Sequence, residues 1–271
     1  MSKVIAKSFD TIRLETVAHV ATVTLNRPEV RNAFHPSMIR ELTEVFTELA
    51  GKPDVSVVVL RGEGKSFCSG ADLGYMKSMA DFSFEENRQD ALELWGMFES
   101  LRNCPHPIVG RIHGHAMGGA VGLAALCDVA AAVTDTQFCF SEVRLGIAPA
   151  VISPFVLEKM SASYARRLML TAEVFSAEQA FESGLVQFVG DEPSVDTFLN
   201  SVIRALVSNG PEAVRATKAL LRQVSQTPSW SDRRDLTSRV IAERRVSAEG
   251  QEGLRGFLEK RAPSWKMVET K

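Results

Sequence analysis

The spacing of apolar residues changes along the chain, and each change of period marks a change of element. Ile12-Arg13-Leu14-Glu15 alternates and 20–25 is rich in β-branched residues, which predicts a hairpin of two strands. The polar stretch 26–33, with Pro28 inside it, reads as a loop. After His35-Pro36, residues Met38, Leu42, Val45, Phe46 and Leu49 recur at helical spacing until Gly51-Lys52-Pro53-Asp54 breaks the run. Residues 55–60 are continuously apolar, as in a parallel strand covered on both faces. In 81–103, Ala91, Leu94, Trp95, Phe98 and Leu101 share one helical face, which reads as a core stripe.

Further strands are expected at 107–112, 129–133 and 185–189. A helical pattern spans 153–170, and a short helix opens at Ser176 and ends by Gly184. Gly190-Asp191-Glu192-Pro193 is the expected boundary; beyond it, 195–208, 211–224, 233–246 and 248–260 all read as helices. The expected division is therefore a core at 1–192 and a helical module at 193–271. This order of elements is that of an α/β core followed by an α-helical module.

The chemistry concentrates between 106 and 149. A buried strand runs into the turn Gly114-His115-Ala116-Met117-Gly118-Gly119, followed by an apolar helix at 120–126 that Cys127-Asp128 closes. Strand, glycine turn and helix start together aim unpaired backbone N–H groups at a developing negative charge. A second glycine turn, Phe67-Cys68-Ser69-Gly70-Ala71-Asp72-Leu73, offers another N–H at Ala71. Glu142 is a lone carboxylate after the apolar Phe138-Cys139-Phe140 and before a turn at Gly146. Backbone donors for an oxyanion plus one desolvated acid–base group make a coherent site. Arg61-Gly62-Glu63-Gly64-Lys65-Ser66 is not a P-loop, because Val59 stands where its first glycine is needed. His113 and His115 share a strand face but lack an evident third ligand, so no metal is expected.

Composition narrows the class. A chain of 271 residues with 45% hydrophobic content can bury a sizeable core, as one large domain or a core with an appendage. A net charge of −2 argues against a general nucleic-acid binder. Cys68, Cys104, Cys127 and Cys139 lie in apolar surroundings without CxxC spacing, so reduced, buried thiols are expected. With no apolar leader and no run of spanning length, the expectation is a soluble, cytoplasmic protein with no membrane partner.

One family joins these pieces. Asn26-Arg27-Pro28 with Asn32-Ala33, the two glycine turns, Cys127-Asp128, Glu142-Val143-Arg144-Leu145-Gly146 and the tail from Glu252-Gly253-Leu254 to Phe257-Leu258-Glu259-Lys260-Arg261 occur in order along nearly the whole chain. In this order and spacing they resemble the crotonase (enoyl-CoA hydratase/isomerase) superfamily. More narrowly, residues 140–154 and 246–253 are similar to bacterial methylglutaconyl-CoA hydratases of leucine and isovalerate breakdown. The hydratases of geranoyl-CoA breakdown are similar too. The resemblance implies a crotonase-type ββα spiral core, a C-terminal trimerisation module, and a homotrimer or dimer of trimers. It implies an acyl-CoA thioester substrate with its carbonyl between the N–H groups of Ala71 and Gly119, and Glu142 as the acid–base residue. No cofactor is implied beyond coenzyme A as part of the substrate. CoA contacts are expected from Arg27, Arg31, Ala33, Ser69, Asp72 and Leu73, and from Lys260 of a neighbouring subunit. Asp72 also reads as the cap of a helix.

The chain departs from its two-glutamate relatives. They carry one carboxylate on the helix after the glycine turn, where this chain has Gly122. Two explanations stand side by side: Gly122 clears room for a branched or carboxylated acyl group, or it lets the helix pack closely on a neighbour. On the first, Gly122→Ala is expected to be tolerated by the helix. His115 is a candidate polar residue of the acyl pocket, and Ala150-Val151-Ile152 is an expected apolar wall that keeps Glu142 dry. The expected activity is hydration of a branched or carboxylated 2-enoyl-CoA. An enoyl-CoA isomerase using one glutamate, or a non-catalytic acyl-CoA- or RNA-binding member, are the alternatives.

Overall fold

The computed structural model describes residues 4–266. In chain order, β1 (Val4–Ser8), β2 (Ile12–Val17) and β3 (Val20–Leu25) lead into α1 (Pro36–Ala50) and β4 (Val57–Gly62). Then come α2 (Leu73–Met79), α3 (Phe84–Asn103), β5 (Ile108–Ile112), β6 (His115–Met117), α4 (Gly119–Leu126), β7 (Val129–Val133) and β8 (Gln137–Cys139). α5 (Ser153–Lys159), α6 (Ala162–Thr171), β9 (Phe175–Ser176), α7 (Ala177–Glu182) and β10 (Phe188–Gly190) complete the alternating part. The chain ends in α8 (Glu192–Ser208), α9 (Pro211–Gln226), α10 (Trp230–Val246) and α11 (Ala248–Leu258).

The main sheet has the order β1-β2-β3-β4-β5-β7-β10 among the described residues. β1, β2 and β3 pair antiparallel, and from β3 onward each neighbour is parallel. A small second sheet, β6-β8-β9, sets the glycine turn beside Cys139. Side chains alternate with the pleat. Val58, Leu60, Ile108, Ile112, Ala130 and Ala132 face the main core with α1 and α3. Val57, Val109, Ala131 and Val133 face the other way, against Val195 and Leu199 of α8. The continuous apolar runs of β4, β5 and β7 follow from this double burial.

α8 opens at the expected boundary, yet it covers one face of the sheet and belongs to the core's layers. The helices that stand beyond the sheet are α9 to α11. The helix expected over 153–170 is two helices. Ser161 donates its N–H to the Ser183 carbonyl (2.8 Å), which draws the chain out of helical register between α5 and α6. On α3 the buried residues are Met97, Phe98 and Leu101, whereas Trp95 is exposed. All four cysteines are free and buried. Burial pushes the Cys68 and Cys127 thiols up to about 12. No helix among the described residues is long and apolar enough to cross a membrane.

Candidate active site

Two further stretches of chain join the two glycine turns. Phe34 forms a parallel bridge with Ala71: its N–H donates to the Gly70 carbonyl (2.7 Å) and its carbonyl accepts from Asp72 N–H (2.9 Å). In such a bridge the two residues flanking Ala71 are engaged and Ala71 itself is not, so its N–H turns outward without an acceptor among the described residues. Cys68 pairs with Ala116, exchanging bonds with His115 and Met117 (3.0 and 3.1 Å), which lays the second turn beside the first. Gly118 N–H donates to the Cys139 carbonyl (2.8 Å), bringing in the strand that leads to Glu142.

Gly118 caps α4 at φ 54°, a backbone angle that L side chains rarely adopt. Gly119 is the first residue of α4, so its N–H has no partner within the helix. The Phe34 ring lies 3.0 Å from the point where a Cβ on Gly119 would stand. Phe34 thus holds Ala71 through its backbone and abuts Gly119 with its ring. Sequence reasoning passed over it; an aromatic residue directly after the polar loop 26–33 was the available signal. Asn32 was named only as part of the Asn26–Ala33 motif, and its role was not read. Buried and at φ 57°, it accepts from Arg27 N–H and donates to the Glu63 and Ser66 carbonyls, stapling the 27–33 loop to the approach to Ala71.

Glu142 opens a 3-10 turn, Glu142–Leu145, between β8 and α5. Its Oε1 lies 3.3 Å from the Cβ point of Gly118, next to the start of α4. Its Oε2 is buried without a hydrogen-bond partner among the described residues. Burial pushes its carboxyl above the usual range, partly offset by its own backbone N–H. A desolvated carboxylate beside a helix start, with two unpaired N–H groups nearby, is equipped to move a proton next to an anion held by the backbone.

The remaining candidates fall into four groups. Arg27 is committed inside the chain: Nη1 donates to the Ala33 carbonyl (2.9 Å) and Nη2 to Asp72 (3.0 Å). Asp72 caps α2 through Gly74 and Tyr75 N–H. This pair therefore fastens the Ala71 turn, and two of Arg27's donors are engaged within the chain. Ser69 N–H donates to the Arg31 carbonyl (3.0 Å), while the side chains of Arg31 and Leu73 are exposed. Lys260, at φ 55°, follows α11, which packs on α9 and α10. His115 Nδ1 lies 3.2 Å from the buried Ser66 hydroxyl, and His113 Nε2 lies 2.9 Å from the Gly64 carbonyl. The two rings thus brace the 62–69 loop at separate points.

Gly122 does not border open space. A Cβ there would stand 2.7 Å from Ile152 Cγ2 and 2.9 Å from Phe98 Cε1. Of the two explanations, close packing is the one the geometry carries, and the expectation that Gly122 clears acyl volume and tolerates alanine is corrected. Along the expected wall, Ala150 is exposed, Val151 half-buried and Ile152 buried. A cavity of about 540 Å³ lies elsewhere, at the far end of α4 beside α9. Its cations Arg215, Lys218 and Arg222 donate to the Pro53, His106 and Arg102 carbonyls and tie α9 to the core.

The arrangement has the parts of a site in which backbone donors could hold an anionic oxygen beside a carboxylate able to carry a proton. Residues 15–268 match the enoyl-CoA hydratase/isomerase family, and the chain belongs to it. The crystal structure of an enoyl-CoA hydratase from Shewanella pealeana is 39% identical with a TM-score of 0.91, over 94% of this chain and 96% of that one. A putative enoyl-CoA hydratase of Thermus thermophilus is 31% identical over 90% of this chain and 96% of its own. The (E)-benzylidenesuccinyl-CoA hydratase of Thauera aromatica is 30% identical over 94% and 98%. The α/β spiral with C-terminal helices is the crotonase fold.

Proposed function

We propose that this protein hydrates a branched or carboxylated 2-enoyl-CoA of the methylglutaconyl-CoA kind, as in leucine and isovalerate breakdown. The observation that carries the proposal is Glu142, a desolvated carboxylate beside the α4 start whose Oε2 has no hydrogen-bond partner among the described residues. In this reading the thioester oxygen accepts from Ala71 and Gly119 N–H. Glu142 takes a proton from water as its oxygen adds to the β-carbon. The enolate formed is held by the two N–H groups, and Glu142 returns that proton to the α-carbon. Each donor of such a pair typically contributes roughly 3 kcal/mol to the transition state. A carboxylated acyl group is favoured by the Thauera relative, whose name specifies a succinyl-type thioester. CoA would lie along Arg31, Ala33, Ser69 and Leu73, with Lys260 supplied by a neighbouring copy in a homotrimer or dimer of trimers.

The second reading is an enoyl-CoA isomerase. It is favoured by Gly122, whose closed surroundings leave Glu142 without a carboxylate from α4. One base suffices to carry a proton between carbons. Product analysis separates the two across short, branched and carboxylated 2- and 3-enoyl-CoAs. A 3-hydroxyacyl-CoA product, formed fastest from branched or carboxylated substrates, is expected. A shifted double bond without added water would overturn the hydratase proposal. CoA binding without turnover of any substrate would overturn both readings.

A further inference from the structure

The segment that carries Glu142 is anchored to one helix at both ends. At its start, Glu142 Oε1 sits over Gly118, 3.3 Å from that residue's Cβ point. At its end, Ile152 enters a notch at Gly122, with Cγ2 at 2.7 Å and Cβ at 3.1 Å from the Cβ point there. Gly118 caps α4 and Gly122 lies four residues on, about one turn along the helix. Both contacts depend on a missing side chain. Between them, residues 143–148 are exposed and held mainly by their own turns, with Arg144 donating to the Ala172 carbonyl. Ile152 is itself buried and precedes α5, whose Phe155 packs against Phe98 with ring centroids 5.5 Å apart.

We infer that Ile152 is a positioning residue for the acid–base group: wedged into the Gly122 notch, it sets how the Glu142 segment sits on α4 and hence on the Gly119 N–H. The inference rests on the proposed role of Glu142 and assigns a role to a residue outside the donor-and-carboxylate set. Its physical basis is stiffness. Ile152 Cγ2 is attached directly to Cβ, and χ1 of a β-branched side chain has few alternatives. Phe98, the other wall of the notch, is fully buried. A methyl added at Gly122 therefore pushes on groups that do not swing aside, and the loop must shift. Positional errors of about 1 Å in a catalytic group can cost about 10²-fold in rate, so a shift of a few tenths is expected to cost about tenfold.

The test is a cycle of Gly122→Ala, Ile152→Ala and their combination, with Ile152→Val as the conservative control. Gly122→Ala is expected to lower kcat about tenfold with KM little changed. In the Ile152→Ala background, where Cγ2 is gone, the same change is expected to cost less than about threefold. Ile152→Val keeps Cγ2 and is expected to hold kcat within about twofold, whereas Ile152→Ala alone loses about tenfold. Equal effects of Gly122→Ala in both backgrounds, or a lower Tm with kcat unchanged, would overturn the inference. A crystal structure of Gly122→Ala, or of Ile152→Ala should the first not fold, reports independently of activity. Glu142 is expected to move relative to Gly118, and an unmoved Glu142 contradicts the wedge. If the parent protein turns over no enoyl-CoA, the functional reading fails by itself, and this structure still judges the wedge.

Discussion

Glu142 shows how much one residue's surroundings decide. Its carboxyl is held above the ordinary glutamate value of about 4.3 by burial, so the native state binds its proton more tightly than the unfolded chain does. Stability linked to this group therefore falls as pH rises from the unfolded value through the raised native one. Above the native value the whole penalty is present. Glu142→Gln should accordingly raise Tm at neutral pH, with the gain shrinking as pH drops from the raised native value towards the ordinary carboxyl value and gone below it. Melting curves of both proteins over a pH series check this, and a gain that does not change with pH would contradict it. The position of Glu142 in the chain was legible from its apolar approach and following turn. Its dryness was expected from the apolar Ala150-Val151-Ile152; that Oε2 lacks a hydrogen-bond partner among the described residues was not, because partners come from segments distant in sequence.

At the scale of elements, the sequence was most informative where burial is two-sided or strictly periodic. The continuous apolar runs of β4, β5 and β7 and the stripe of α1 announced themselves. The chain's departures arise from tertiary hydrogen bonds. The break between α5 and α6 comes from the Ser161–Ser183 bond, a contact between residues 22 apart in sequence that no local period records. β6 sat unnoticed inside the glycine turn because its three residues earn strand geometry only by pairing with β8. Arg27 and Asp72 were both singled out, but their pairing with each other across 45 positions, a clasp on the Ala71 turn, was not legible. Gly122 was legible as an anomaly. Its cause was not, since it lies in Ile152 and Phe98, which reach it from two other elements.

For the whole molecule, the same sheet that buries both faces leaves the last helices with apolar residues in water. Trp230 is 80% and Phe257 82% exposed, with Val246 and Leu258 close behind. We propose that these residues meet another chain, as larger exposed apolar patches do. With the family resemblance, it leads to an expected assembly whose mass is a multiple of three protomers. Light scattering at micromolar concentration measures it directly; a monomer would contradict the trimer proposal and with it the role given to Lys260.

The most direct test of the central claim is the hydration rate of the best enoyl-CoA substrate, measured for the parent and for Glu142→Gln, with folding of the variant checked first by melting. Loss of a general acid–base group is expected to lower kcat by at least about 10²-fold while CoA binding stays largely intact. A folded Glu142→Gln that hydrates its substrate at the parental rate would remove Glu142 from the chemistry and contradict the proposed mechanism.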